Sequence, residues 1–156
     1  MAVQNNLGYG FYWEYNEDGG PMPVTEVTLD TNISVSEGDP IAIEADGYAN
    51  VAGSNSSIYG FALEDITGAA STYKDVAVVK ATAQAVFSGY TDGAGAVTNI
   101  GDATDITGST GAFTIDDDGT THAVIRITKL HPVSDDYGTN AQFYFKVLKS
   151  QIYGAG

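Results

Sequence analysis

"DVAVVKATAQAVF" (residues 75–87) is the stretch on which the fold turns. Four of its thirteen residues are alanine, the strongest helix former, so a helix is one reading. The order of the residues says otherwise. Ala77, Val79, Ala81, Ala83, Ala85 and Phe87 alternate strictly with their neighbours, and the flanks are rich in glycine. A period of two belongs to a strand, whose successive side chains point to opposite faces. With this stretch read as a strand, no segment of good helical amphipathicity remains, and the whole chain reads as β.

Outward from there the same period recurs. Val27, Leu29, Ile33 and Val35 occupy odd positions, predicting a half-buried strand broken near Asp30. "SEGDP" (36–40) is a turn, Ile41, Ile43 and Ala45 alternate again, and "ADG" (45–47) turns the chain. "IYGFALEDI" (58–66) predicts a further strand with Phe61 and Leu63 on one face. "HAVIRITKL" (122–130) and "AQFYFKVLK" (141–149) are the clearest strands, joined by "HPVSDDYGTN" (131–140). Residues 88–113 are glycine, threonine and aspartate with single apolar residues, a long loop or hairpin excursion. Residues 1–22 show no alternation and end in "NEDGGPMP", an extended arm followed by a turn. The expectation is a single small all-β domain, barrel- or sandwich-like, over residues 23–156, with an N-terminal arm over 1–22.

Composition agrees. The chain has 156 residues, 43% of them apolar, enough for one domain with a real core. Its 19 glycines are about 12% of the chain against a usual ~7%, which implies many turns. There is no cysteine, so disulfide frameworks, thiolate metal sites and cysteine nucleophiles are excluded. No basic segment followed by an apolar run opens the sequence, and no stretch reaches the ~18 apolar residues of a membrane span; synthesis in the cytoplasm is expected. Net charge is −14, and its distribution is uneven: residues 1–73 hold eleven acids and no Lys or Arg. Such a surface repels nucleic acid and anionic membranes, so neither is expected as a partner.

Few residues suggest chemistry. Asp116, Asp117 and Asp118 in "TIDDDGT" are consecutive, whereas a calcium loop needs acids at alternating positions and a Glu twelve along. They read as a turn, as do Asp135 and Asp136 in "SDDYG". His122 and His131 would stand at opposite ends of one strand, ~30 Å apart, too far to share a metal. No Gly-x-Ser-x-Gly elbow and no phosphate-binding glycine loop occurs. The expectation is no catalysis, no cofactor and no metal. Tyr48, Tyr59, Tyr73, Tyr90 and Tyr144 are ordinary strand residues or, alternatively, a platform for stacking sugars.

The order of signals from 33 to 66 resembles the head decoration, or cement, proteins of tailed bacteriophages. Their β-barrel domains often read Val-x-x-Gly-Asp-x-Val, a Gly turn, then Gly-x-Ala. Gly38, Asp39 and Ile41 match the first signature, and Gly60 and Ala62 the second. "ITKLHPVSDDYGTNAQFYFKVLKSQIY" is similar to the strand, Pro turn, acidic loop and aromatic strand that close such domains, with Lys149, Ser150 and Gln151 where an Asn-x-His element is usual. The resemblance implies a structural virion protein on the outer capsid surface, binding the major capsid protein and stabilising contacts between its subunits, with neighbouring copies of itself, in a trimer for some relatives, as further partners. The competing readings are a glycan- or cell-binding β-sandwich module of head-fibre or adhesin type, and another virion or surface-layer structural protein.

"NNLGYGFYWEYN" (5–16) carries Tyr9, Phe11, Tyr12, Trp13 and Tyr15, including the only tryptophan. Rings this dense are either buried in their own domain or held for a partner. These five are the expected contact residues for the capsid or a neighbouring copy, with Glu14, Glu17 and Asp18 setting the register.

Overall fold

The computed structural model describes residues 9–53, 56–132, 138–148 and 151–153. Within them the protein is all β apart from a single 3₁₀ turn at Val97–Asn99. The strands are β1 (Tyr12–Asn16), β2 (Val24–Leu29), β3 (Pro40–Ile43), β4 (Ala49–Val51), β5 (Gly60–Ala62), β6 (Lys74–Lys80) and β7 (Ala85–Tyr90), then β8 (Ala94–Gly95), β9 (Ala103–Thr107), β10 (Thr114–Asp116), β11 (Ile125–Leu130), β12 (Gly138–Thr139) and β13 (Gln142–Val147).

Two units are built from them. Strands β2-β4-β3-β5-β6 close into a five-stranded barrel, since β6 pairs back onto β2 along its whole length from Val24↔Val79 to Leu29↔Lys74. The other unit is a six-stranded sheet in the order β1-β7-β13-β11-β9-β10, with a two-stranded ribbon of β8 and β12. This sheet curls on itself. A bridge between Thr91 and Ile115 brings β10 back beside the end of β7. Closure and curling are how small β proteins remove exposed edges.

Each unit has its own apolar cluster. Leu29, Val35, Ile41, Ala49, Ala62, Val76 and Val78 fill the barrel. The larger cluster lies between barrel and sheet, and all six phenylalanines are buried there. Strand periodicity lets one strand serve both. In β6, Val76 and Val78 face into the barrel while Val79 faces the junction. In β5, Ala62 faces in and Phe61 out. Phe61 meets Phe87 of the sheet at 4.6 Å between centroids and Phe11 at 5.4 Å, and Phe11 meets Phe145 at 5.4 Å, edge to face.

The described part of the N-terminal segment, from Tyr9 on, is extended and docks on its own domain. Gly10 N donates to Phe113 O in the sheet unit, and Phe11 N donates to Gly38 O at the barrel mouth. Two glycines make room. A Cβ on Gly38 (φ +88°) would lie 2.9 Å from the backbone of Gly10, and one on Gly89 would lie 2.6 Å from the Phe11 ring. β1 then pairs with β7 from Tyr12↔Ser88 to Asn16↔Ala85.

Two expectations are adjusted, and the choice left open for 88–113 is decided for a hairpin. Residues 75–87 form two strands, not one: β6 ends at Lys80, β7 begins at Ala85, and Ala83 is exposed on the turn between them. Alternation of small residues does not reveal a turn that contains neither Gly nor Pro. Within 58–66 only Gly60–Ala62 is strand. The 88–113 excursion is structured: β9 pairs with β10 as a hairpin, Thr107↔Thr114 to Asp105↔Asp116, and joins the sheet through β11. Asp135 and Asp136 lie outside the described residues.

Phe11→Ala removes the ring that ties the two units together. Urea unfolding of this variant is expected to show a loss of about 3–5 kcal/mol, the usual cost of emptying a buried Phe site. Tyr15→Ala, at an exposed position of β1, is expected to cost roughly 1 kcal/mol.

Candidate functional site

The five aromatic residues singled out in the sequence are separated by the fold. Phe11 is 1% exposed and Tyr12 8%, so both are held in this chain's own packing. Tyr9 and Tyr15 are exposed at 43% and 39%. Trp13 is half-buried, packed against the junction cluster, and its Nε1 donates to Asn16 Oδ1 at 3.1 Å. The arrangement follows from a β-bulge. Trp13 pairs with Phe87 and Tyr15 with Val86, which leaves Glu14 as the extra residue.

The bulge aims Glu14 across the outer face of the sheet. Its Oε1 accepts a hydrogen bond from Ser88 Oγ at 2.6 Å and lies 3.1 Å from His131 Nε2. Gln142 Nε2 donates to Ser88 Oγ at 3.3 Å. Ser88, His131 and Gln142 are all buried. A serine, a histidine and a carboxylate thus meet, from positions 88, 131 and 14. Their geometry differs from that of a nucleophile with its base: the serine hydroxyl proton points to the carboxylate, and Ser88 has no exposed surface. It is a buried polar network that pins β1 to β7, β13 and the end of β11. Beside it, Tyr144 is contacted by the rings of Tyr15 at 5.8 Å and His131 at 4.7 Å, and by Lys129 Nζ at 4.9 Å. Burial, and then the Glu14 carboxylate, push the Tyr144 hydroxyl pKa up. Lys146 and Glu17 form an ion pair at the far end of β1.

On its other side β1 borders a furrow. A hollow of about 340 Å³ lies between β1 and the barrel, with Trp13, Met22, Leu63 and Val79 as its apolar lining and Glu37 at its rim. A second hollow of about 270 Å³ continues it, sharing Tyr12 and Glu37 and adding Tyr9 and Asp65. Met22 and Val24 expose apolar surface nearby, and Val24 pairs with Val79 of the lining.

Two acidic groups stand apart from this. Asp30, Glu44 and Asp46 bring one carboxylate oxygen each within 4.8 Å of the others, beside the stacked rings of Tyr48 and Tyr73 at 4.4 Å. Oxygen donors of this kind suit a hard cation. Each carboxylate already accepts a local bond, from Thr31 N, Asn50 Nδ2 and Tyr48 N respectively, as turn residues do. The side-chain hydrogen bond with Tyr48 raises the Tyr73 hydroxyl pKa. The other group surrounds "DDD". Burial, then hydrogen bonding with Asp118, then the charge of Asp92, push the Asp116 carboxyl up to about 6. Burial, then Asp92, raise Asp117 as well. His122 is exposed and its backbone N–H donates to Asp105 Oδ1 at 2.9 Å. His131 belongs to the Glu14 network, so the two histidines serve separate places.

The first signature of the resemblance has a structural task. Asp39 is 1% exposed and receives Ser36 N on Oδ2 at 2.9 Å and Gly111 N on Oδ1 at 3.0 Å. It ties the start of β3 to the loop before β10. Burial raises its pKa, and the two backbone donors act against that.

Comparison with protein-family models, with curated proteins and with solved structures finds no match. No helix among the described residues is long and apolar enough to cross a membrane.

The sequence named Tyr9, Tyr12 and Trp13 of the furrow but not Met22, Leu63, Glu37 or Asp65, which join them only across barrel and strand. It also missed the Glu14 network, whose members carry no motif spacing.

Asp116 makes stability depend on pH. Its folded pKa lies above its ordinary 3.8, so the folded state binds the proton more tightly than the unfolded state. The resulting stabilisation is complete below about pH 4 and is lost as pH rises through about 6. Melting temperature is expected to be higher at pH 5 than at pH 7.5. Asp116→Asn is expected to raise it at pH 7.5 and to narrow the difference; an unchanged difference excludes this carboxyl as the cause.

Proposed function

We propose that the chain is a structural protein of a tailed-bacteriophage head, bound to the outside of the capsid, where it holds neighbouring capsid subunits together. The observation that carries this reading is the pairing of the two signature segments. Gly38, Asp39 and Ile41 open β3, Gly60 and Ala62 lie in β5, and the two strands are hydrogen-bonded neighbours in the closed barrel, Pro40↔Phe61 and Ile41↔Gly60. Motifs far apart in sequence serve one architectural element, as a shared barrel design requires.

The chemistry supports the same reading. Net charge −14 suits the exterior of a head, whose interior is packed with phosphate. The Ser88, His131 and Glu14 group is engaged in holding strands, and the reading includes no catalytic step, cofactor or metal. Partners are the major capsid protein and neighbouring copies, up to a trimer, with no nucleic acid and no membrane.

A glycan- or cell-binding module is the second reading. One observation favours it: Tyr73 is 52% exposed, stacked on Tyr48, with Asp30, Glu44 and Asp46 beside the pair. Aromatic faces with adjacent carboxylates suit sugars. Binding to a glycan array that is lost in Tyr73→Ala supports this second reading.

Co-sedimentation with capsids that lack the protein is the direct test. The protein is expected to pellet with them and to raise their melting temperature, each site adding RT ln(1 + [L]/Kd), about 2.7 kcal/mol at a hundred times Kd. Protein that stays in the supernatant at every concentration overturns the reading, as does a salt-sensitive gel shift with duplex DNA.

A further inference from the structure

We infer that the furrow beside β1 seats an extended segment of the lattice protein that carries apolar side chains together with a lysine or arginine. The inference rests on the capsid-binding reading and adds the place and chemistry of the contact.

Three observations lead to it. First, the furrow is continuous: the two hollows share Tyr12 and Glu37, so a chain lying along β1 passes from one to the other. Second, the lining of the first hollow is mostly apolar, with Trp13, Met22, Leu63 and Val79 in it, and Met22 is 38% exposed. Val24, two residues on in the chain, is 54% exposed, and apolar surface of this kind is covered by a partner at little cost in polar desolvation. Third, its charge has one sign. The titratable residues lining the two hollows are Glu14, Glu37 and Asp65 with Tyr9 and Tyr12, and no Lys, Arg or His is among them. Glu14 is committed to Ser88 and His131. Glu37 and Asp65 are exposed at the rim, and Asp65 Oδ1 accepts only the backbone N–H of Glu37 in the bonds that hold this corner. Two rim carboxylates over an apolar floor favour a cationic side chain on an otherwise apolar segment.

A second copy of this chain is the poorer occupant. Two chains of net charge −14 repel at long range. A cationic segment is instead drawn to the rim, and the apolar floor supplies the short-range energy.

Placing the photo-crosslinker benzoylphenylalanine at Met22 tests the occupant, in full-length protein that has been shown to pellet with capsids. The expected product joins position 22 to a capsid-protein segment that contains Lys or Arg among apolar residues. In parallel, Glu37→Lys and Met22→Arg are expected to weaken capsid binding tenfold or more with melting temperature within a few degrees of the parent. Glu26→Lys, exposed on β2 outside the furrow, is expected to bind as the parent does. A crosslink to a second copy, or to a capsid segment without a cation, overturns the inference while capsid binding stands. Normal binding by both furrow variants overturns it too. If the parent protein fails to pellet, the capsid reading itself has failed and the inference goes with it.

Discussion

Phe61 is the contact on which the rest of the structure depends. It leaves the barrel wall at β5 and enters the sheet unit, where Phe87, Phe145 and Phe11 surround it. Among the described residues barrel and sheet are separate strand ladders, joined by a few hydrogen bonds such as Phe11 N to Gly38 O and Gly111 N to Asp39 Oδ1. Apolar contact is the larger part of what holds them together, and a fully buried aromatic side chain contributes strongly to it. The chain supplies the ring from four distant positions, 11, 61, 87 and 145, and so the N-terminal segment and the C-terminal strand both close on the barrel.

Dependence on this junction explains where the polar groups went. Asp39 is buried because the loop before β10 must be tied to the barrel mouth, and two backbone N–H groups satisfy its carboxylate. Glu14 is inward because a bulge in β1 gives the strand one residue more than its partner. In both places the charged group is stabilised by donors already in position, which is the condition for burying it at all. At the Asp116 turn burial first, and then hydrogen bonding and charge from neighbouring carboxylates, raise the proton affinity of Asp116 and Asp117.

The same geometry divides the N-terminal rings by role. Phe11 is structural, Trp13 half so, and Tyr9 and Tyr15 look outward. The outward rings are therefore built on a strand that the core already holds in place. In the proposed capsid contact that arrangement lowers the ordering cost of binding relative to a free arm, because the strand's conformational entropy is lost on folding rather than on docking.

The sequence by itself determined the class of fold. Period-two patterning in 24–29, 125–130 and 142–147 admits only strands, and the absence of a long helical period removes the mixed classes. It also determined the charge imbalance and the density of aromatic residues near the N-terminus, both properties of composition. It did not reveal the turn at 81–84, because alanine alternation runs through it without a Gly or Pro. For 88–113 it left loop and hairpin both open, because threonines and aspartates look alike in either until β11 pairs with them. Tertiary structure alone decided which ring is buried. Tyr12, Trp13 and Tyr15 are similar neighbours in sequence, and a single bulge sets which of them faces the barrel and which faces solvent. The physical reason is that burial in a β protein depends on which strand lies across the sheet and in what register, and that information is long-range.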